Sequence, residues 1–173
     1  MQYTDSYRSP LGPITLASDG QRLTGLWFDG QMYFASTLTG ERRPGSPPLF
    51  ERTKAWLDAY FAGDTPGPLP PLAPAGTPFR QAVWALLLKI PRGQVATYGQ
   101  LARALAERQG RATLSAQAVG GAVAHNPISI LIPCHRVVGS DGSLTGYAGG
   151  LDKKLALLTL EGVDLDALAP GRG

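Results

Sequence analysis

Cys134 is the only cysteine in 173 residues, and it stands in the run Pro133-Cys134-His135-Arg136. A thiolate, not a thiol, is the nucleophile of cysteine chemistry, and cationic or proton-accepting neighbours favour it. A positioned imidazole takes the thiol proton directly or through one water. Pro133 fixes one backbone angle beside the sulfur. Neighbouring side chains need not face each other, however, and cysteine is among the most buried residue types. Two readings therefore stand: an activated nucleophile, or a core cysteine with a histidine next to it in sequence. The local mixture favours the first. A polar pair directly after the apolar run Ile130-Leu131-Ile132 and a proline is a poor design for inert core. The run itself is expected to be a buried extended segment.

A single cysteine forms no internal disulfide and cannot supply a multi-thiolate zinc site. His125 and His135 are the only histidines, so no metal is expected, and a reduced cytoplasm is the expected setting. No run of about 18 apolar residues suggests a membrane span, and the start of the chain lacks a basic-then-apolar signal pattern.

The elements that must position Cys134 are legible in outline. Residues 1–35 read as short strands punctuated by Gly12-Pro13, Asp19-Gly20 and Asp29-Gly30. Residues 36–48, rich in Gly, Pro and Arg, read as a loop. Leu49, Trp56, Leu57, Tyr60 and Phe61 recur at helical spacing until Gly63. Pro66, Gly67, Pro68, Pro70, Pro71, Pro74 and Pro78 exclude a regular helix over 66–78, which reads as a linker. Two domains are expected: 1–75, a small antiparallel sheet with helix plus the proline-rich linker, and 76–173, mainly helical. The fold class is α/β (α+β).

In the second half Thr77 caps a helix with Pro78 at its first position, and Phe79, Val83, Trp84 and Leu87 form its apolar stripe. Thr97 and Gln100 have capping-box spacing. A further helix spans about 115–124 and is small-sided, with Ala116, Ala118, Gly120, Gly121, Ala122 and Ala124. Glycine is costly inside a helix, so either something approaches this backbone closely or the helix packs tightly. Residues 76–138 carry seven Lys/Arg against one Asp/Glu, a net of +6, whereas residues 1–75 net −1. A positive middle steers an anionic partner such as a phosphate backbone. Two short helices joined by a turn inside it suggest a helix-turn-helix.

Together these residues resemble the O6-methylguanine-DNA methyltransferases. The resemblance is carried by Ile132-Pro133-Cys134-His135-Arg136-Val137, with Ile90-Pro91-Arg92-Gly93, Thr97-Tyr98, Ala118-Val119-Gly120-Gly121-Ala122, Asn126-Pro127, Gly146-Tyr147-Ala148-Gly149-Gly150 and Leu160-Glu161-Gly162, in family order from 78 to 162. It implies a repair protein that moves the alkyl group of O6-alkylguanine, with O4-alkylthymine a further candidate, irreversibly onto Cys134, once per molecule and without a cofactor. The implied partner is double-stranded DNA, entered through the minor groove by a monomer, with the damaged base flipped out. The implied roles are Cys134 as nucleophile, His135 as base through water, Glu161 orienting His135, and Asn126 as a buried hinge. Tyr98 would donate to the guanine ring and crowd the phosphate. Gln117, Ala118, Gly121 and Ala122 would face the groove, backbone groups of Val137 and Ala148 would read the base, and Tyr147 would shape the pocket wall.

The chain departs from the pattern at Gln117, where the family commonly has an arginine that fills the base stack. Gln117 is shorter and neutral. Arg111 is a substitute on charge alone. The turn 107–114 is long for the family, and Ala148 replaces a serine seen in some members. Three other readings make distinct predictions: a non-catalytic damage binder, a cysteine hydrolase, and a helix-turn-helix regulator. The first lacks a reactive cysteine, the second turns over, and the third keeps DNA binding but accepts no alkyl group.

Overall fold

The computed structural model describes residues 1–168 apart from Thr39, Ser46 and Thr145. Two compact units emerge, Met1–Ala75 with Pro127–Leu131, and Gly76–Asn126 with the chain from Ile132 onward. Residues 169–173, the end of the expected second domain, lie outside the described residues.

The first unit is built on a four-stranded sheet in the order β3-β2-β1-β4. β1 (Gln2–Ser9) and β2 (Gly12–Ser18) form an antiparallel hairpin, and β2 pairs antiparallel with β3 (Leu23–Phe28). The hairpin turn is fixed by Ser9, whose hydroxyl donates to the Gly12 carbonyl at 2.7 Å and accepts from the Leu11 N–H at 3.1 Å. Gly12 has φ +118, a conformation that L side chains rarely adopt. Ile14, Leu16, Leu26 and Phe28 are buried, as are Phe50, Leu57 and Tyr60 of α1 (Pro48–Phe61).

Two expectations need correction here. Within 36–48 the structure has a short strand, β4 (Arg42–Pro44), pairing parallel with β1. Three residues carry too little pattern to reveal a strand held by its partner rather than by propensity. The proline-rich stretch is also more than a tether. Leu23 donates to the Pro71 carbonyl and accepts from the Ala73 N–H, both at 2.8 Å. Leu26 does the same with Pro127 (2.8 Å) and Ser129 (2.9 Å), which is why residues 127–131 belong to the first unit although they were expected in the second domain.

In the second unit the capping chemistry read from sequence is present. α2 (Pro78–Leu87) starts at Thr77, whose hydroxyl accepts from the Arg80 N–H at 3.2 Å. α3 (Tyr98–Arg108) starts with a complete capping box between Thr97 and Gln100, and α4 (Ala116–Ala124) starts at Ser115, which accepts from the N–H groups of Gln117 and Ala118. Trp84 on α2 donates its indole N–H to the Ala122 carbonyl on α4 at 2.9 Å. Val83, Leu87, Leu101, Leu105, Val119 and Val123 are buried. A parallel pair, β5 (Ala96–Thr97) and β6 (Val137–Val138), stands beside these helices. α5 (Leu151–Leu160) and the short α6 (Leu165–Leu168) follow, and α5 buries Leu157, Leu158 and Lys154.

The run 130–132 is buried, as expected, but it is not extended. Residues 129–131 form a turn in which Ile130 has φ +71 and Leu131 donates to the Ser129 carbonyl at 2.8 Å. A β-branched residue at positive φ is strained and persists only where its surroundings over-determine it.

Candidate active site

β5 and β6 set the site geometry. β5 runs straight into Tyr98, the first residue of α3, and β6 follows directly on the single 3-10 turn Cys134–Arg136. Pairing Ala96 with Val137 and Thr97 with Val138 in parallel holds the strand that follows the cysteine turn beside the strand that leads into α3.

Cys134 is 5% exposed. Its N–H donates to the Ile132 carbonyl at 2.8 Å. Burial pushes the thiol above its ordinary value, whereas a hydrogen bond from the Asn126 side chain and the ammonium of Lys154 pull it back. Asn126 is itself buried and donates its Nδ2 to the Ile132 carbonyl at 2.8 Å. One amide thus ties the end of α4 to the segment carrying the sulfur.

His135 is fully buried, with Nε2 at 2.7 Å from Glu161 Oε2. The carboxylate accepts from the ring, so the neutral ring carries its proton on Nε2 and presents a lone pair at Nδ1. Nδ1 has no hydrogen-bond partner among the described residues. Burial lowers the proton affinity of the ring. Glu161 opposes this, and the charges of Arg136 and Lys154 add to the lowering. The result is a neutral imidazole able to accept a proton.

Glu161 is held from both sides. Arg136 Nε donates to Oε1 at 2.8 Å and Nη2 to Oε2 at 3.0 Å, and Nη1 reaches the Ile90 carbonyl at 2.6 Å. The bidentate fork locks the carboxylate plane, so the ring it orients is locked as well. The turn after α2 is drawn in too: Gly93, at φ +84, has no room for a Cβ without crowding the Glu161 carbonyl at 3.3 Å.

Tyr98 is half-buried. Burial and the charge on Cys134 hold its phenol above the ordinary value, so it acts as a neutral hydrogen-bond donor. Gly146 has φ +90, and a Cβ there would lie 2.9 Å from the Tyr98 hydroxyl, so a side chain would be strained and would displace the phenol. Tyr147 and Ala148 follow, half-buried, in the loop before α5. Tyr98, Gly99, Ala116, Gln117, Gly120 and Gly146 line a cleft of about 500 Å³, within the usual range for a small-molecule site.

The outer face of α4 consists of Ala116, Gln117, Ala118 and Gly121, all exposed. A Cβ on Gly121 would meet nothing, so internal packing does not demand glycine there and close approach from outside remains. Ala122 is corrected: it is buried at 3% exposed, and its carbonyl serves Trp84, so it does not present itself to a groove. On α4, Ala118 and Gly121 are exposed, whereas Val119, Ala122 and Val123 are buried. Val137 is fully buried; its N–H donates to the Cys134 carbonyl and its carbonyl accepts from Lys154, so its backbone is already engaged in this conformation.

Lys154 is the site residue that sequence reasoning missed. Its signal was present: Leu151, Lys154, Leu155 and Leu158 share a helical face, and a lysine on an apolar stripe needs a reason. Among the described residues no cluster of three or more His, Cys, Asp or Glu is placed to hold a metal ion.

Two family models cover nearly the whole chain. Residues 78–163 match the 6-O-methylguanine DNA methyltransferase, DNA binding domain, and residues 2–67 match the ribonuclease-like domain of the same family. The methylated-DNA–protein-cysteine methyltransferase of Mycobacterium bovis is 44% identical over 88% of each chain. That of Mycobacterium leprae is 43% identical over 93% of each. The crystal structure of Mycobacterium tuberculosis OGT in complex with DNA superposes with a TM-score of 0.80 at 40% identity, covering 97% of this chain and 95% of that one. With the sulfur, the imidazole–carboxylate pair and the helix-turn-helix all in place, the chain belongs to the 6-O-methylguanine DNA methyltransferase family.

Proposed function

We propose that this DNA-repair methyltransferase takes the O6-alkyl group of guanine in double-stranded DNA onto Cys134. One observation carries the reading: the family transfers to a protein cysteine, and this chain has only one, turned beside a buried imidazole–carboxylate pair.

His135, its Nε2 proton held by Glu161, accepts the thiol proton through water. The sulfur electron pair forms the S–C bond as the C–O6 bond breaks. The electron pair left on the purine is protonated from Tyr98, which regains the proton that His135 took. Donation at the purine edge helps most as negative charge develops there, so it acts in the transition state. No group in the site hydrolyses a thioether, which makes transfer stoichiometric.

The small-sided face of α4 supports entry through the minor groove. That groove is about 6 Å wide, and long side chains would hold a helix off its floor. Ala118 and Gly121 suit close approach, and Gln117 stands where the vacated stack must be supported. The damaged base is extruded toward the cleft, because a base edge inside a duplex leaves no room for the reaction. Nucleophile, base and groove-facing helix lie in one chain, so a monomer suffices for the reaction. The cytoplasm suits its free thiol. O4-alkylthymine is a second substrate to be tested in the same assay.

The test is incubation with a duplex containing O6-methylguanine, followed by intact-mass measurement. The expected result is a gain of one methyl in the wild type and none in Cys134→Ala. No gain in folded wild-type protein refutes the reading.

A further inference from the structure

Among the described residues, the cleft beside Tyr98 and Gln117 is lined by no Lys, Arg, Asp or Glu. A DNA strand brings one negative charge with every nucleotide. A base rotated out of the stack swings about its own backbone, so the phosphates flanking it need a hold outside this cleft.

A second cleft, of about 390 Å³, adjoins the first, and Gly99 and Ala116 line both. Its charged members are Arg103 and Glu107 on α3 and Arg111 in the turn before α4, two cations against one anion. Arg103 is exposed, yet it leans toward the lesion cleft: a Cβ on Gly99, one turn earlier on α3, would lie 3.8 Å from its Nη1. Long side chains on a helix point back toward its N-terminus, and here that lean carries the guanidinium to the neighbour of Tyr98. Arg111 is also exposed, and its backbone is fixed by an N–H donated to the Ala106 carbonyl at 2.9 Å at the close of α3. Among the described residues no hydrogen bond or ion pair occupies either guanidinium.

We propose that Arg103 and Arg111 together grip a backbone phosphate next to the extruded nucleotide, anchoring the strand while its base occupies the neighbouring cleft. A guanidinium suits the task because its planar fork of donors matches a phosphate bidentately. Ala116 directly precedes the neutral Gln117, so the charge that Gln117 does not bring to the start of α4 arrives from α3 and the turn. The turn 107–114 gains a use as the segment that carries Arg111 to the cleft wall. Glu107 weakens the grip by repelling the same anion. The proposal rests on duplex DNA with an extruded base being the substrate.

The test uses Cys134→Ala protein as the parent, so that the lesion survives the titration. Arg103 and Arg111 are exposed, and Arg103→Gln, Arg111→Gln and the double variant are expected to stay folded. Binding to a duplex with one O6-methylguanine is titrated at several salt concentrations. Each phosphate around the lesion is also replaced in turn by an uncharged methylphosphonate. In the parent, one linkage next to the lesion should weaken binding more than the others when neutralised. The double variant should bind the unmodified duplex more weakly, with a slope of log affinity against log salt shallower by about 0.9, the value for one phosphate contact. At the sensitive linkage the methylphosphonate should cost the double variant nothing further, and Glu107→Gln should tighten binding. Unchanged affinity and salt slope in the folded double variant overturn the proposal, as does a full methylphosphonate penalty retained at that linkage. If wild-type protein binds the duplex but takes no methyl group from it, the substrate reading fails, and these affinities still decide the grip.

Discussion

At the scale of single residues, the site is a way of keeping a proton acceptor and a nucleophile usable inside an apolar environment. Glu161 has no exposed side-chain surface, yet it accepts from His135 and twice from Arg136. Glu161→Gln removes the negative charge that Arg136 and the ring tautomer of His135 depend on. We expect methyl transfer to slow by about 10²-fold or more, in the range of a lost proton-transfer group. Breaking a buried pair should also cost about 3–5 kcal/mol of stability. Single-turnover kinetics and urea unfolding of the same variant check both; transfer at the wild-type rate would show that His135 needs no orienting carboxylate. Cys134, His135, Glu161, Asn126 and Tyr98 were all legible as a set because each is a chemically distinctive residue in a recognisable order. Lys154 was not, because its meaning lies in being buried, and burial is decided by the whole fold.

At the scale of elements, local chemistry spoke most clearly where it is self-contained. Thr77, the Thr97–Gln100 box and Ser115 each cap the helix that their spacing implied. What could not be read was whatever depends on a distant partner: β4, three residues held by β1, and the turn at Ile130, whose apolar neighbours suggested a strand. The inward turn of Ala122 belongs here as well, since a helix composed of Ala and Gly has almost no pattern to orient it. The exposed Gly121 makes the role of α4 testable. Gly121→Ala should stabilise the fold by up to about 1 kcal/mol, from helix propensity, while weakening duplex binding. Thermal unfolding and binding to a lesion duplex, measured together, separate the two effects; unweakened binding would remove α4 from the groove floor. Gln117→Arg should tighten lesion-duplex binding by supplying a charged, stacking side chain, as measured by titration; an unchanged affinity would mean that another residue already fills that place.

At the scale of the whole molecule, charge and titration govern. The +6 excess over residues 76–138 falls on the region that matches the DNA binding domain, while the first unit carries the sheet. Buried and neutral in the folded chain, His135 holds its proton less tightly than the unfolded ring, whose ordinary value is about 6.5. As pH falls through that value the unfolded chain takes up a proton that the folded chain refuses. This contribution to stability is therefore full above the unfolded value and is lost below it. Urea midpoints should fall between about pH 7.5 and about pH 5.5, above the carboxylate range, and fall less in His135→Gln. A midpoint that holds steady or rises over that interval in the wild type would show the ring already charged when folded.

The central claim is single acceptance at one sulfur. The most direct measurement is a titration of the protein with excess duplex labelled at the O6-methyl group, followed to its plateau and mapped by peptide mass. The expected plateau is one methyl per chain, all of it on the peptide containing Cys134. Continued release of repaired duplex beyond one equivalent, or label on any other residue, would contradict the account.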